Sequence, residues 1–142
     1  MKPLLTIIAA VIALTVSAQE RNDNTIIIPN FPVERIDDFE THLMMNFYQF
    51  QNIDKDNLRF MTHPKPIEGS VYASNLQVTM VGMMIGDDLI IYGNYSFEGM
   101  GNERYSGRAD FQRRKLVGRR MAFDEINKVV KDFGLRVIYE QR

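Results

Sequence analysis

The sequence predicts an α+β fold: a mostly antiparallel sheet with two amphipathic helices packed on one face, in the order β-α-β-β-β-β-α-β. Three observations carry this. Two apolar-rich runs flank Gly86-Asp87, as the arms of a hairpin would. Two segments, near 32–51 and 121–133, repeat apolar residues at steps of three and four, the period of a helix face. The other apolar stretches are short, and β-branched or alternating, with Gly, Pro or Asn at their ends. Runs of strands bracketed by helices gather the helices on one side of the sheet.

Ahead of these elements lies a different kind of segment. A basic start with Lys2 precedes an apolar run from Leu4 to Val16, then the small residues Ser17 and Ala18. Thirteen residues are too few for a bilayer, which takes about 20, but suit the core of a signal peptide. The expectation is a signal peptide over 1–18, cleaved after Ala18, and a single exported domain over 19–142, periplasmic or secreted. No Cys follows the signal to carry a lipid anchor. Removing Lys2 leaves 16 Lys and Arg against 18 Asp and Glu, a net charge of −2, without the basic excess of a nucleic-acid binder. No second apolar run of membrane length follows, so a soluble mature chain with no membrane span is expected. The chain is cysteine-free, which excludes disulfides, thiol catalysis and Cys-ligated metal sites.

Within the domain, Thr25-Ile26-Ile27-Ile28 reads as a strand ended by Pro29. Pro32 opens a helix expected to reach about Gln51, with Ile36, Phe39, Leu43, Phe47 and Phe50 on one face, widened by Met44, Met45 and Tyr48. Asn57 to Thr62 reads as a strand, and His63-Pro64-Lys65-Pro66 as a connector. With Gly86-Asp87 as a two-residue type II′ loop, Ile85 pairs with Asp88 and each paired couple sums to 173. One face then carries Leu76, Val78, Met80, Gly82 and Met84 with Leu89, Ile91, Gly93, Tyr95 and Phe97. That face is apolar or small throughout and should meet the helices. The other face is polar far from the turn (Gln77, Thr79, Asn94, Ser96) and apolar near it (Val81, Met83, Ile85, Ile90, Tyr92). Arg104 to Phe111 alternates again, with Arg104, Ser106, Arg108 and Asp110 outward. Met121 to Phe133 forms the second helix, ended by Gly134, and Leu135 to Glu140 the last strand. This order resembles the helix-grip and TATA-binding-protein-like arrangements. Such folds host unrelated functions, so the resemblance implies architecture alone.

No constellation of residues points to catalysis. Asp38 and His42 share a helix face at i, i+4, but the third ligand a metal needs is not identifiable. Asp87 and Asp88 are explained by turn chemistry. Gly99-Met100-Gly101 lacks the later Gly and the helix of a phosphate loop. Neither a metal nor a cofactor is expected, and the protein is read as a non-enzymatic binding or interaction domain. Two surfaces are its candidate sites. One is the apolar turn end of the hairpin: Val81, Met83, Ile85, Ile90 and Tyr92, a size of patch that monomers rarely leave open; residues 63–74 or the last strand are alternatives that would cover it. The other is basic: Arg113, Arg114, Lys115, Arg119 and Arg120, five cations within eight residues, an anion-binding candidate with Arg104 and Arg108 beside it. The expected partner is an unknown protein or acidic ligand, with a homo-oligomer as an option. Two alternatives stay open: a carrier for a small apolar ligand, with a cavity between sheet and helix lined by Met44, Met45, Met80 and Met84, and a hydrolase using Asp38 and His42.

Overall fold

The computed structural model describes residues 19–69, 73–112 and 117–142. The expected signal peptide, 1–18, and the cations Arg113, Arg114 and Lys115 lie outside the described residues. The α+β expectation holds: strands β1 (Thr25–Ile28), β2 (Phe50–Asp54), β3 (Arg59–Thr62), β4 (Lys65–Pro66), β5 (Ser74–Ile85), β6 (Asp88–Glu98), β7 (Arg104–Arg108) and β8 (Ile138–Glu140) form one antiparallel sheet with helices α1 (Ile36–Met45) and α2 (Gly118–Asp132). The strand path is β2-β3-β5-β6-β1-β8, with β4 also on β5 and β7 also on β6. Two short strands, β2 and β4, are additions to the sequence reading.

The β5–β6 hairpin is the spine of this sheet. Its pairs run from Ile85↔Asp88 to Gln77↔Ser96, the register the hydrophobic pattern requires. Gly86 has φ +61° while Asp87 is not in the left-handed region, as a type II′ turn demands. Alternation then sorts the side chains. Leu76, Val78, Met80, Leu89 and Ile91 are buried toward the helices. Gly82 and Gly93 lie on the same face because larger residues would collide. A Cβ at Gly82 would stand 2.2 Å from the Phe60 ring, and one at Gly93 would stand 1.9 Å from Ile126 Cδ1 of α2. The sheet is thus hollowed where α2 settles on it, and Ala122, Phe123, Ile126, Val129 and Val130 fill the hollow.

α1 departs from the sequence reading. It stops at Met45, not near Gln51, and Phe50 begins β2. The stop is a Schellman motif: Tyr48 N–H donates to Leu43 O at 3.0 Å and Phe47 N–H to Met44 O at 3.0 Å. Glycine usually holds the left-handed position of that motif, but here Phe47 does, at φ +67°. Asn46 Nδ2 reinforces the end by donating to His42 O at 2.9 Å. Phe39, Leu43 and Tyr48 are wholly buried, Phe39 meeting Phe133 edge-on at 5.0 Å, whereas Phe47 is 82% exposed. The other expected boundaries shift by a few residues: α2 begins at Gly118, and β8 is confined to its last three positions. Gly134, at φ +92°, follows α2 in the left-handed conformation expected of it.

Candidate functional site on the helix-free face

The residues turned away from the helices form aligned rows. Met83 pairs with Ile90, Ile90 with Ile27, and Ile27 with Ile138, an apolar line across β5, β6, β1 and β8. Beside it, Met61 pairs with Val81 and Val81 with Tyr92. None of these residues belongs to the helix-side core cluster. At the centre, Ile27 and Ile90 are 2% and 5% exposed; Met61, Val81, Met83, Tyr92 and Ile138 are half-buried, and Ile85 is 52% exposed. The patch is therefore larger in membership than the hairpin alone: buried at its centre, half-buried around it and exposed at Ile85. Of the segments 63–74 and the last strand, expected as alternatives that would cover the patch, Lys65–Pro66 and Ile138–Glu140 do not lie across it. β4 pairs with β5 at Val78 and Gln77 and β8 pairs with β1, so both extend the sheet in its own plane. The additional members were missed because Thr25–Ile28 was read only as a strand. An unbroken apolar run is also the mark of a strand with apolar surroundings on both faces, which would have placed Ile27 here.

Farther from the turn the same face is polar and also in register: Gln77 with Ser96 and Ser106, Thr79 with Asn94 and Arg108, and Glu98 with Arg104. A groove of about 490 Å³ runs over this end, lined by Gln77, Ser96, Glu98, Arg104 and Ser106 among others. Arg108 stands at the border between the two halves. Its guanidinium lies 4.0 Å over the Tyr92 ring and donates from Nη2 to Thr25 Oγ1 at 2.9 Å. Its Nε is buried without a hydrogen-bond partner. Among the described residues no carboxylate lies within ion-pair distance of it. Burial, and secondarily the neighbouring Arg142, pull its pKa below the ordinary arginine value, while Tyr92 opposes them. Arg142 has its own acid, Glu140, at 2.6 Å. The group thus holds two cations and one acid. The sequence reading named Arg108 only as a neighbour of the basic segment.

The described part of that basic segment is engaged internally. Arg120 Nε donates to both carboxylate oxygens of Asp124 at 2.7 Å, its Nη1 donates to Gln112 O, and its guanidinium lies 3.7 Å over the Phe111 ring. Arg119 makes an ion contact with Asp110 at 3.5 Å, long for a hydrogen bond; accordingly, Asp110 Oδ1 is also without a hydrogen-bond partner. Asp38 and His42 do not converge on a cleft. His42 Nε2 donates to Val129 O of α2 at 2.7 Å, whereas Asp38 is exposed beside Arg35. The Met-lined cavity is corrected as well. Met80 is buried in the core, but Met44 and Met45 are 54% and 75% exposed, because the last turn of α1 turns them away from the buried side that carries Phe39, Glu40 and Leu43.

Their exposure, with that of Phe47, makes an apolar tip on α1. Phe47 also borders a groove of about 370 Å³ with Gln49 and His63 to Pro66. Behind it Lys65 Nζ bonds Glu125 at 2.6 Å and lies 4.6 Å over the buried Tyr48 ring. The Tyr48 hydroxyl has no hydrogen-bond partner. Burial, and then the charge of Glu125, push its pKa well above the ordinary tyrosine value. Among the described residues no group of three or more His, Asp or Glu could hold a metal ion, and no helix is long and apolar enough to cross a membrane. No protein-family model, curated protein or solved structure matches the chain.

Proposed function

We propose that this chain is an exported, non-enzymatic binding domain whose working surface is the helix-free face of the sheet. The observation that carries this reading is the in-register apolar row Met83–Ile90–Ile27–Ile138, set on a face to which neither helix contributes. A ligand would complete the cover of that face's half-buried and exposed members, Val81, Met83, Tyr92 and Ile85. The basic segment carries less of the reading, since Arg119 and Arg120 already have partners within the fold. Export rests on the apolar run Leu4–Val16 and the small residues after it.

A neutral solvatochromic dye such as Nile red tests the surface. Binding by the wild-type protein should disappear in a Met83→Glu, Ile85→Glu variant whose melting temperature stays within a few degrees of the parent. Absence of dye binding, or binding that survives the substitutions, overturns the reading. Export is tested by amino-terminal sequencing of the protein recovered outside the cytoplasm, where Gln19 should come first; an intact Met1 there refutes it.

A further inference from the structure

We propose that the helix-free face takes a fatty-acid-like amphiphile, with its carboxylate on Arg108 and its single alkyl chain along the apolar rows toward the hairpin turn. This rests on the reading of that face as the working surface and adds the ligand class and its orientation.

Arg108 supplies the first argument. A partly desolvated guanidinium without a carboxylate partner is an unfavourable arrangement that an arriving anion relieves. Here one donor is buried without an acceptor, a second bonds only a hydroxyl, and Arg142 crowds the same corner with like charge. Arginine is also the side chain whose planar fork suits a carboxylate. The second argument is position. Arg108 lies over Tyr92, where the polar half of the face gives way to the apolar half. From Val81, paired with Tyr92, to Ile85 the accessible apolar track along β5 is about 13 Å long at ~3.3 Å per residue. At its far end stand Asp87 and Asp88, which would repel an anion, so only one orientation puts the head on a cation and the tail on carbon. The third argument is size. Ile27 and Ile90 at the centre of the row are buried, so what a ligand can reach is the narrow strip of Val81, Met83 and Ile85, well under the ~800 Å² each partner contributes to a stable protein interface. A single alkyl chain fits such a strip, and a second copy of this domain does not.

The test is methyl NMR on the mature protein titrated with decanoate below its micelle concentration, with decanol and acetate as the tail-only and head-only probes. Decanoate should shift the methyls of Met83 and Ile85 and bind at least tenfold tighter than either control. Arg108→Gln should weaken decanoate at least tenfold while leaving decanol unchanged, and Arg108→Lys should restore part of the loss. Equal binding of decanoate and decanol, a decanoate affinity indifferent to Arg108→Gln, or shifts confined to other surfaces overturns the proposal. Should Arg108→Gln fail to fold, the comparison of the three probes on the wild-type protein still decides. If decanol binds the face without discrimination by head group, only this inference falls; if neither decanol nor decanoate touches the face, the working-surface reading falls with it.

Discussion

The C-terminal turn of α1 offers a substitution whose outcome runs against ordinary experience with glycine. Phe47 occupies the left-handed position of a Schellman motif at φ +67°, where an L side chain costs about 1–2 kcal/mol. The ring recovers part of this. At 82% exposed, roughly a fifth of its ~200 Å² is buried, or ~40 Å², worth about 1 kcal/mol at ~25 cal/mol per Å². Phe47→Ala and Phe47→Gly remove the same ring contacts, so their difference isolates the backbone. In a helix interior Gly is the worse of the two by about 0.5–1 kcal/mol; here Phe47→Gly should be more stable than Phe47→Ala by about 1 kcal/mol, or ~4 °C in melting temperature for a domain of this size. Urea melts followed by circular dichroism, with matching m-values, give the comparison. If Ala equals or exceeds Gly, Phe47 is not held left-handed and the account of where α1 stops is wrong.

Three further outcomes follow from the packing. Tyr48→Phe removes a buried hydroxyl without a partner and should leave the protein equally or more stable at neutral pH, by up to about 1 kcal/mol in equilibrium melts. Because the folded state raises the Tyr48 pKa, the wild type should hold its stability up to about pH 10, the ordinary tyrosine value, and lose it above, as the unfolded chain ionises first; pH-dependent melts should show this loss diminished in Tyr48→Phe. Gly82→Ala forces a methyl into the Phe60 ring, and denaturant melts should show a loss of about 1–3 kcal/mol, though the strand conformation itself accepts alanine. Arg120→Ala should destabilise by about 1–3 kcal/mol, since it breaks the contacts to Asp124, Gln112 and Phe111 together, whereas Arg119→Ala, whose ion pair is half exposed, should stay within ~0.5 kcal/mol. Equal losses in the two arginine variants would contradict the division of the basic segment into an engaged and a peripheral cation.

What the sequence disclosed about the fold depended on how local the determinant was. The hairpin register was legible because Gly86-Asp87 fixes the loop and a one-residue slip would bury Gln77, Thr79, Asn94 and Ser96. α2 was legible because its apolar face keeps helical period up to a glycine suited to end it. α1 was overextended for a related reason: Phe47 and Phe50 continue the period of Phe39 and Leu43 in number but not in space. The chain leaves the helix through a left-handed phenylalanine, and propensity assigns that position to glycine. Met44 and Met45 lie within α1 but off its buried side, so the expected Met-lined cavity came from drawing that face too wide.

The candidate site was half legible, and the missing half is non-local. Val81, Met83, Ile85, Ile90 and Tyr92 could be gathered from one hairpin, because alternation within two adjacent strands needs no knowledge of the rest of the fold. Ile27 and Ile138 join them only through the pairings of β1 with β6 and β8, which bring together residues 63 and 111 positions apart in sequence. Arg108 illustrates the same limit in electrostatics. By sequence it is one of seven cations between 104 and 120, and the dense group at 113–120 draws attention first. Density is a poor guide, because closely spaced charges on a helix start readily find partners, as Arg120 does with Asp124 four residues on. A lone arginine on an edge strand, turned toward Tyr92 and Thr25, has fewer acids within reach. Its lack of a carboxylate is a property of the sheet's order: β7 lies against β6, and the nearby acid Glu140 belongs to Arg142. The charge a surface leaves available is thus set by which cations the fold leaves without acids; among the described residues Arg108 is one of these, whereas Arg119 and Arg120 are not.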